Sequence, residues 1–252
     1  WERRERNNAA SVAIQTTDPD CYVASVQVPT DAIGGVGPRI YRVRIGRNAL
    51  GVDTLQVPLT VTIGTPTITY QTLMVDVPRG QEIDVDVSVL TPQAFGGPGQ
   101  SNQFPVIAAH QLQADSNRSN DAAYNTVSVA APWWDLAIAV SGPGAAQRCT
   151  QTGWTVTVTS VGNVSSPPGV CGFTCICLSN MPGNNNQSLG FNPFNAPALA
   201  PGQSWTYQVT NYNVWCNALT QTQYLKAEFD TACSGNSILA PNDSASQPIT
   251  IY

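Results

Sequence analysis

One short motif occurs three times in the 252 residues of this chain, and it constrains the fold more than any other feature. Each copy is a polar turn, Asn followed by Asn or Asp, that leads into a short run of alternating apolar residues. Aligned without gaps, Asn7, Asn120 and Asn242 coincide. Because self-similarity at a fixed period is typical of tandem repeats, a spacing of about 110 to 120 residues predicts two complete units.

The three copies also predict the domain boundaries. The second and third copies each close a unit, which gives predicted domains at 17–130 and 131–252. The first copy has no unit before it, so residues 1–16 are predicted to be the closing strand of a preceding or neighbouring domain. That strand could finish an upstream domain of the same chain, or complete a domain of another subunit by β-addition. We favour the first alternative because both complete units have a closing strand of their own.

The segments between the copies are typical of an all-β protein. Short runs rich in Val, Thr and Ile are separated by turns that draw on 20 Gly and 19 Pro, a pattern that favours a β-sandwich. In the clearest strand, Tyr41, Val43 and Ile45 share one face, and residues 154–158 repeat the pattern in the second unit. Residues 94–103 are predicted to be a loop.

Several of these motifs together resemble the CARDB family, the bacterial cell-adhesion-related domains. The matching residues are Tyr41, Val43 and Ile45, Pro78 and Gly80, Ala114 and Asp115, and Asn120 and Asp121. The resemblance implies two tandem immunoglobulin-like β-sandwiches that are extracellular and structural or adhesive. It implies no catalytic residues. The second unit departs from the family by its cysteines and by an insertion at 171–195.

The sequence contains few residues that are typical of a catalytic site. The only histidine is His110, within a strand predicted at 105–115. Serine or cysteine nucleophiles are usually activated by a histidine, and His110 is predicted to be an ordinary strand residue. No G-x-S-x-G or H-E-x-x-H motif occurs. We therefore expect no enzyme activity and no cofactor.

Two groups of residues have oxygen atoms that calcium prefers. They are Asp115, Asn117, Asn120 and Asp121, and the weaker pair Asp18 and Asp20. Calcium takes six to eight oxygen ligands, so an Asx-rich turn is the simpler interpretation of the first group. The spacing C-x3-C-x-C at 171–177 is not typical of zinc. The sequence therefore predicts no metal site.

Seven cysteines in a chain of short strands indicate an oxidising compartment, and we expect the protein to be extracellular, secreted or at the cell surface. The six disulfide candidates of the second unit are Cys149, Cys171, Cys175, Cys177, Cys216 and Cys233. Their pairing stays open, because six cysteines allow many connectivities. The odd cysteine, Cys21, could pair across units, pair with another chain, or stay free and buried.

Other features mark the predicted surface. Four N-x-S/T sequons, at Asn117, Asn163, Asn186 and Asn242, are glycosylation candidates. The adjacent Trp133 and Trp134 lie beside the predicted linker between the units. Paired aromatic rings of this kind pack between neighbouring domains or stack on sugars.

The overall charge and hydropathy narrow the class of partner. A net charge of -5 gives no basic surface for nucleic acid, and no apolar run approaches the length of about 18 residues that a membrane span needs. The predicted function is an extracellular structural protein, a repeat segment or subunit of a stalk, fibre or surface filament. The alternative is an adhesin or carbohydrate-binding accessory module. The expected partners are copies of itself or neighbouring domains of a longer chain, with glycans as a further partner class.

Overall fold

The computed structural model describes residues 19–169, 173–179, 196–214, 216, 221–229 and 242–252. These residues form fourteen strands and one short 3₁₀ helix. The predicted all-β, immunoglobulin-like fold class is confirmed. The strand predicted at 1–16 lies outside the described residues.

The chain divides into two compact units. Among the described residues, the first unit comprises residues 19–94 together with Ser101–Ala130, and the second comprises Phe95–Gln100 together with those that follow Ala130. Each unit has its own hydrophobic core, built from alternate residues of its strands. In both, the period of two directs apolar side chains inward and polar side chains outward.

The first unit is a sandwich of a three-stranded and a four-stranded sheet. Its strands are β1 (Cys21–Gln27), β2 (Pro38–Arg47), β3 (Thr54–Ile63), β4 (Thr69–Pro78), β5 (Glu82–Leu90), β6 (Ser101–His110) and β7 (Ala122–Ala130). The sheet orders are β1-β2-β5 and β4-β3-β6-β7, and the 3₁₀ helix, Arg118–Asn120, lies between β6 and β7. Tyr41, Val43 and Ile45 are fully buried between the sheets, as their spacing predicted.

The second unit repeats this plan. Its strands are β8 (Leu136–Ser141), β9 (Ala145–Ala146), β10 (Gln151–Ser160), β11 (Phe173–Ser179), β12 (Ser204–Asn213), β13 (Thr222–Phe229) and β14 (Ser244–Ile251). The sheet orders are β12-β10-β8 and β11-β13-β14-β9. The second and third motif copies of the sequence are β7 and β14, and each pairs antiparallel with the strand before it.

The same glycine turn precedes the third strand of the smaller sheet in both units. Gly80 has φ 66° and Gly202 has φ 76°, a left-handed conformation in which a side chain would be strained. The turn places Gln81 and Gln203 equivalently, because their carbonyl groups accept from the backbone N–H of Arg47 and of Ser160, respectively.

The strand β6 departs from the sequence prediction at both ends. It begins at Ser101, inside the predicted loop at 94–103, and it ends at His110, whereas the predicted strand ran from 105 to 115. Its first residues are polar, but Ser101 pairs with Ala130 of β7 and the ladder continues from there. Pairing with a neighbouring strand thus overrides a loop-like composition.

Two ion pairs cover the outer face of the three-stranded sheet. Arg42 and Arg44 on β2 lie directly opposite Asp86 and Asp84 on β5. Each guanidinium makes two bonds to its carboxylate, at 2.8 and 3.1 Å. This face is solvated, as the alternation of the sequence predicted. The hydrogen bonds from the arginines lower the pKa of both carboxyl groups below the usual 3.8.

We expect this face to stabilise the fold only where the carboxylates are ionised. A carboxyl group whose pKa is lower in the folded than in the unfolded state contributes stability above the unfolded pKa, and that contribution is lost as the pH falls through the folded pKa. NMR titration of the side-chain carboxyl carbons should give pKa values below 3.8 for Asp84 and Asp86. The variant Arg44→Gln should raise the pKa of Asp84, and Arg79→Gln should leave it unchanged. An unchanged pKa for Asp84 in Arg44→Gln would contradict the pairing.

Candidate functional site

A buried cluster of ionisable side chains lies at one end of the first unit. His110 ends β6 with its side chain fully buried, and its Nε2 atom is 3.3 Å from Asp115 Oδ2 and 3.3 Å from Asp121 Oδ1. The same nitrogen is 2.9 Å from the backbone carbonyl oxygen of Cys21. We call these three side chains, with the backbone of Cys21, the His110 cluster. The three side chains come from one segment of the sequence, but the sequence did not predict that they meet one another or the backbone of Cys21.

The hydrogen bonds of His110 define its tautomer. The backbone N–H of Leu112 donates to Nδ1 at 3.3 Å, so Nδ1 acts as an acceptor. The proton of a neutral imidazole then lies on Nε2, which faces the carbonyl oxygen of Cys21 and the two carboxylates. His110 is thus a donor to the start of β1.

Asp115 binds the same residue of β1 from the other side. Its Oδ2 atom accepts the backbone N–H of Cys21 at 3.1 Å, and its Oδ1 atom accepts that of Asn117 at 2.8 Å. The side chains of His110 and Asp115 therefore satisfy both backbone polar groups of Cys21. Buried backbone groups must be paired, so the cluster ties the start of β1 to the connection between β6 and β7.

The three side chains of the His110 cluster also have the geometry of a cation site. One ligand atom from each of His110, Asp115 and Asp121 lies within 4.8 Å of the others, and no other such group occurs among the described residues. Metal-bound histidine must offer an unprotonated nitrogen, whereas the nitrogen that faces the carboxylates here carries the proton. The hydrogen bonds of the cluster link His110 and Asp115 to the backbone of Cys21, whereas Asp121 Oδ1 has no hydrogen-bond partner within the described part of the chain.

Two of the four residues that the sequence offered for calcium, Asn117 and Asn120, make hydrogen bonds outside the His110 cluster. Asn117 is the N-cap of the 3₁₀ helix and accepts from Ser119, at 3.3 Å from the backbone N–H and 2.7 Å from the hydroxyl. Asn120 donates to Asp20 at 3.1 Å. The bonds of Asn117 are those of an Asx turn, whereas the bond of Asn120 joins residues 100 positions apart in the sequence. Asp18 lies outside the described residues.

Arg47 is a further buried charge beside this cluster, and the sequence analysis missed it. It is 1% exposed, donates to the carbonyl of Val52 and pairs across strands with Cys21. A signal was present, because the alternation that directs Tyr41, Val43 and Ile45 inward also directs residue 47 inward. The small turn that follows Gly46 made the inward position of residue 47 hard to recognise in the sequence.

Cys21 itself is free and buried, one of the three alternatives left open by the sequence. Burial is the main cause that raises the pKa of its thiol to about 11, and the nearby Asp115 carboxylate adds to the shift. A thiol with so high a pKa is protonated at neutral pH and is a poor nucleophile. Its role in the unit is therefore packing.

Both units contain the same Asn–Asp bond between the turn before the closing strand and the start of the first strand. Asn120 Nδ2 donates to Asp20 Oδ1 at 3.1 Å, and Asn242 Nδ2 donates to Asp135 Oδ2 at 2.8 Å. The asparagines are the first residues of the repeated motif. The motif is therefore conserved between the units as an interaction as well as a sequence.

The backbone around the His110 cluster is repeated in the second unit, but its chemistry is not. The N–H of His110 donates to the carbonyl of Asp121 at 3.0 Å, and that of Phe229 donates to the carbonyl of Asp243 at 2.9 Å. Phe229 thus stands where His110 stands in the first unit, and it is buried in the apolar core. The fold itself does not require a histidine at this position.

The described cysteines of the second unit are in disulfides. Cys149 pairs with Cys216 across 67 residues of sequence, and Cys177 on β11 is disulfide-bonded and fully buried. Cys171 and Cys233 lie outside the described residues, and so does the side chain of Cys175. The disulfides agree with the oxidising compartment predicted from the cysteine count.

Two of the sequons have structural roles. Asn163 accepts from the N–H of Trp133 at 2.8 Å and donates to the carbonyl of Ala131 at 2.9 Å, and Asn242 makes the Asn–Asp bond described above. A glycan on either amide would compete with these bonds. Asn117 is exposed, and Asn186 lies outside the described residues.

The tryptophan pair belongs to the second unit. The N–H of Trp133 is held by Asn163, and Trp134 is partly buried against the core of that unit. Packing between domains or contact with sugar by these rings stays a prediction.

The chain was compared with known proteins. No family model and no curated protein matches the chain. Among solved structures, it is similar to the CARDB domain of a Pyrococcus furiosus protein in complex with di-metal ions, with 20% identity, a TM-score of 0.35, and coverage of 46% of this chain and 96% of that domain. This agrees with the resemblance that the sequence motifs indicated.

Two larger proteins have similar regions. They are red sea bream transglutaminase, with 13% identity over 92% of this chain and a TM-score of 0.32, and native Escherichia coli α2-macroglobulin, with 10% identity over 94% and a TM-score of 0.32. The chain spans 31% and 17% of their lengths, respectively.

Proposed function

We propose that this chain is a non-catalytic structural protein, a segment or subunit of an extracellular stalk, fibre or filament built from immunoglobulin-like units. One observation carries the proposal. In each unit the first and last strands run side by side in the same direction, so the chain enters a unit at one end and leaves it at the other. A unit with its two termini at opposite ends is suited to carrying force from one terminus to the other.

The contacts of the first unit define this path. At the entry end, Asp20 is bound by Asn120, which precedes β7. At the exit end, Ala130 of β7 donates to the carbonyl of Ala32, which follows β1. Between them, Asn125 of β7 donates to the carbonyl of Val26 at 2.8 Å. Bonds between the two strands therefore occur along the length of the unit.

The second unit has the same path with different residues. Asn242 binds Asp135 at the entry end. At the exit end, β14 pairs in parallel with β9, through Thr250 opposite Ala145 and Ile251 opposite Ala146. A pull on the two ends of either unit loads these lateral bonds together, and bonds loaded in parallel must break at the same moment. That property suits a load-bearing protein.

The disulfides indicate where the protein is expected to be located. The disulfides of the second unit need an oxidising environment, which fits secretion. The described residues contain no helix with the length and hydropathy of a membrane span.

Single-molecule force spectroscopy on the full chain, pulled between its two ends, tests the proposal. We expect unfolding peaks well above those of a variant in which Asn120→Ala and Asn125→Ala remove lateral bonds of the first unit. Gln111→Ala, an exposed neighbour, is the matched control and should unfold at the force of the native chain. Native unfolding at the force of the double variant would contradict a load-bearing role. Specific binding on a glycan array would instead favour the adhesive or carbohydrate-binding alternative.

A further inference from the structure

The outer face of the four-stranded sheet in the first unit carries an uncovered row of aromatic and apolar side chains. Tyr70 on β4 lies opposite Thr62 on β3, Thr62 lies opposite Ile107 on β6, and Ile107 lies opposite Tyr124 on β7. The two tyrosines are 68% and 73% exposed. We call the outward side of β4-β3-β6-β7 the tyrosine face.

The tyrosine face is nearly free of charge. Across its four strands the only charged residue is Asp76, near the end of β4, apart from the buried His110. Met74, on the same outward side of β4 as Tyr70 and separated from it by Thr72, is 59% exposed. Charge depletion together with Tyr and Met enrichment is typical of the centre of a protein–protein interface. The outer face of the opposite sheet, with its two Arg–Asp pairs, has the solvated composition expected of a free surface.

The equivalent face of the second unit is buried at Lys226 and Cys177. Lys226 on β13 lies between the core residues Leu225 and Ala227, so it is directed outward, and Cys177 on β11 is its cross-strand neighbour. Both are nevertheless buried, at 4% and 0% exposure, and Cys177 is disulfide-bonded. This side of the fold is thus a covered side in the second unit and an open side in the first.

The size of the tyrosine face fits association of two proteins. Four strands about 4.8 Å apart and ten residues long, at about 3.3 Å per residue, span roughly 19 by 33 Å. That is about 600 Å² in projection, before side-chain relief is counted. A stable interface of standard size buries about 800 Å² on each partner.

We propose that the tyrosine face docks against the same face of a second copy of this chain. A two-fold interface places each residue opposite its symmetry mates, so a charged face repels itself and an uncharged one does not. Two flat sheet faces also pack readily with side chains interleaved. A partner of different sequence would be oriented by complementary charge, and this face has almost none to offer.

Sedimentation equilibrium of the full chain over a range of concentrations tests the proposal. We expect a monomer–dimer equilibrium for the native chain. In Tyr124→Lys, an ammonium group without a charged partner would be buried against the uncharged face of the second copy, so we expect dimerisation weaker by about a hundredfold or more. Ile40→Lys is the matched control, because Ile40 is 51% exposed on the outer face of the other sheet, and it should dimerise as the native chain does.

Three outcomes would overturn the proposal. They are a native chain that stays monomeric, equal weakening by both lysine variants, and a native monomer whose binding to a neutral polysaccharide is abolished by Tyr124→Lys. Thermal unfolding of each variant checks the fold, and Tyr124 is exposed enough for its replacement to leave the unfolding temperature nearly unchanged. The result is independent of the force measurement. If the native chain is monomeric but unfolds only at high force, the dimer proposal fails and the load-bearing proposal stands.

Discussion

Replacement of His110 by phenylalanine is expected to destabilise the first unit by about 3 kcal/mol, since the loss of one partner from a buried polar network leaves the others unpaired. The carbonyl group of Cys21 would lose its donor. The carboxylates of Asp115 and Asp121 would lose the imidazole 3.3 Å away. Phenylalanine fills a similar volume and is the residue found at the equivalent position, Phe229, of the second unit.

Urea unfolding, monitored through the hydrogen exchange of the backbone amides of β6 and β7, measures this loss of stability, because both strands belong to the first unit. Five of the six tryptophans lie in residues 131–252, and the sixth is Trp1, so tryptophan fluorescence reports mainly on the second unit and should change little. Gln111→Ala is again the control. An unchanged transition in the first unit would show that the His110 cluster contributes nothing. A rise in stability with added zinc, absent in His110→Phe, would show instead that the cluster is a metal site.

Loss of the Cys149–Cys216 disulfide is expected to destabilise the second unit by up to about 4 kcal/mol, because a cross-link over 67 residues removes conformational entropy from the unfolded chain. The bond joins the segment before β10 to the segment after β12, two strands that are paired along their length.

Urea unfolding of Cys149→Ala/Cys216→Ala, followed by tryptophan fluorescence, tests this expectation. Cys21→Ala is the matched control: it removes a buried sulfur of the first unit and should leave the fluorescence transition in place. Equal midpoints for the double variant and the native chain would contradict a stabilising role for this disulfide. A reducing agent should shift the native midpoint further than the double variant does, because Cys177 is also disulfide-bonded.

Features set by local sequence could be predicted from it. The second and third motif copies form closing strands because a polar turn followed by alternating residues has few other conformations with one buried face. Gly80 and Gly202 lie in left-handed turns, a conformation that glycine adopts without strain. Arg42 and Arg44 face solvent because their neighbours Val43 and Ile45 face the core. Each of these properties depends on residues close together in the chain.

Features set by contacts between distant segments were missed or left open. His110 and Cys21 are 89 residues apart, and nothing local to either indicates that they bond. The pairing of Cys149 with Cys216 was one of many connectivities. The strand β6 begins in a segment with the composition of a loop, because β7 offers it a ladder of backbone partners.

The sequence by itself determined the all-β class and the repeat, since both follow from alternation and turn chemistry, which act over a few residues. Only the tertiary structure decided which polar side chains are buried together, which cysteines pair, and which outer face stays open. Packing of the two sheets brings residues some 90 positions apart within hydrogen-bonding distance. The chemistry of the His110 cluster and of the tyrosine face exists only once that packing is complete.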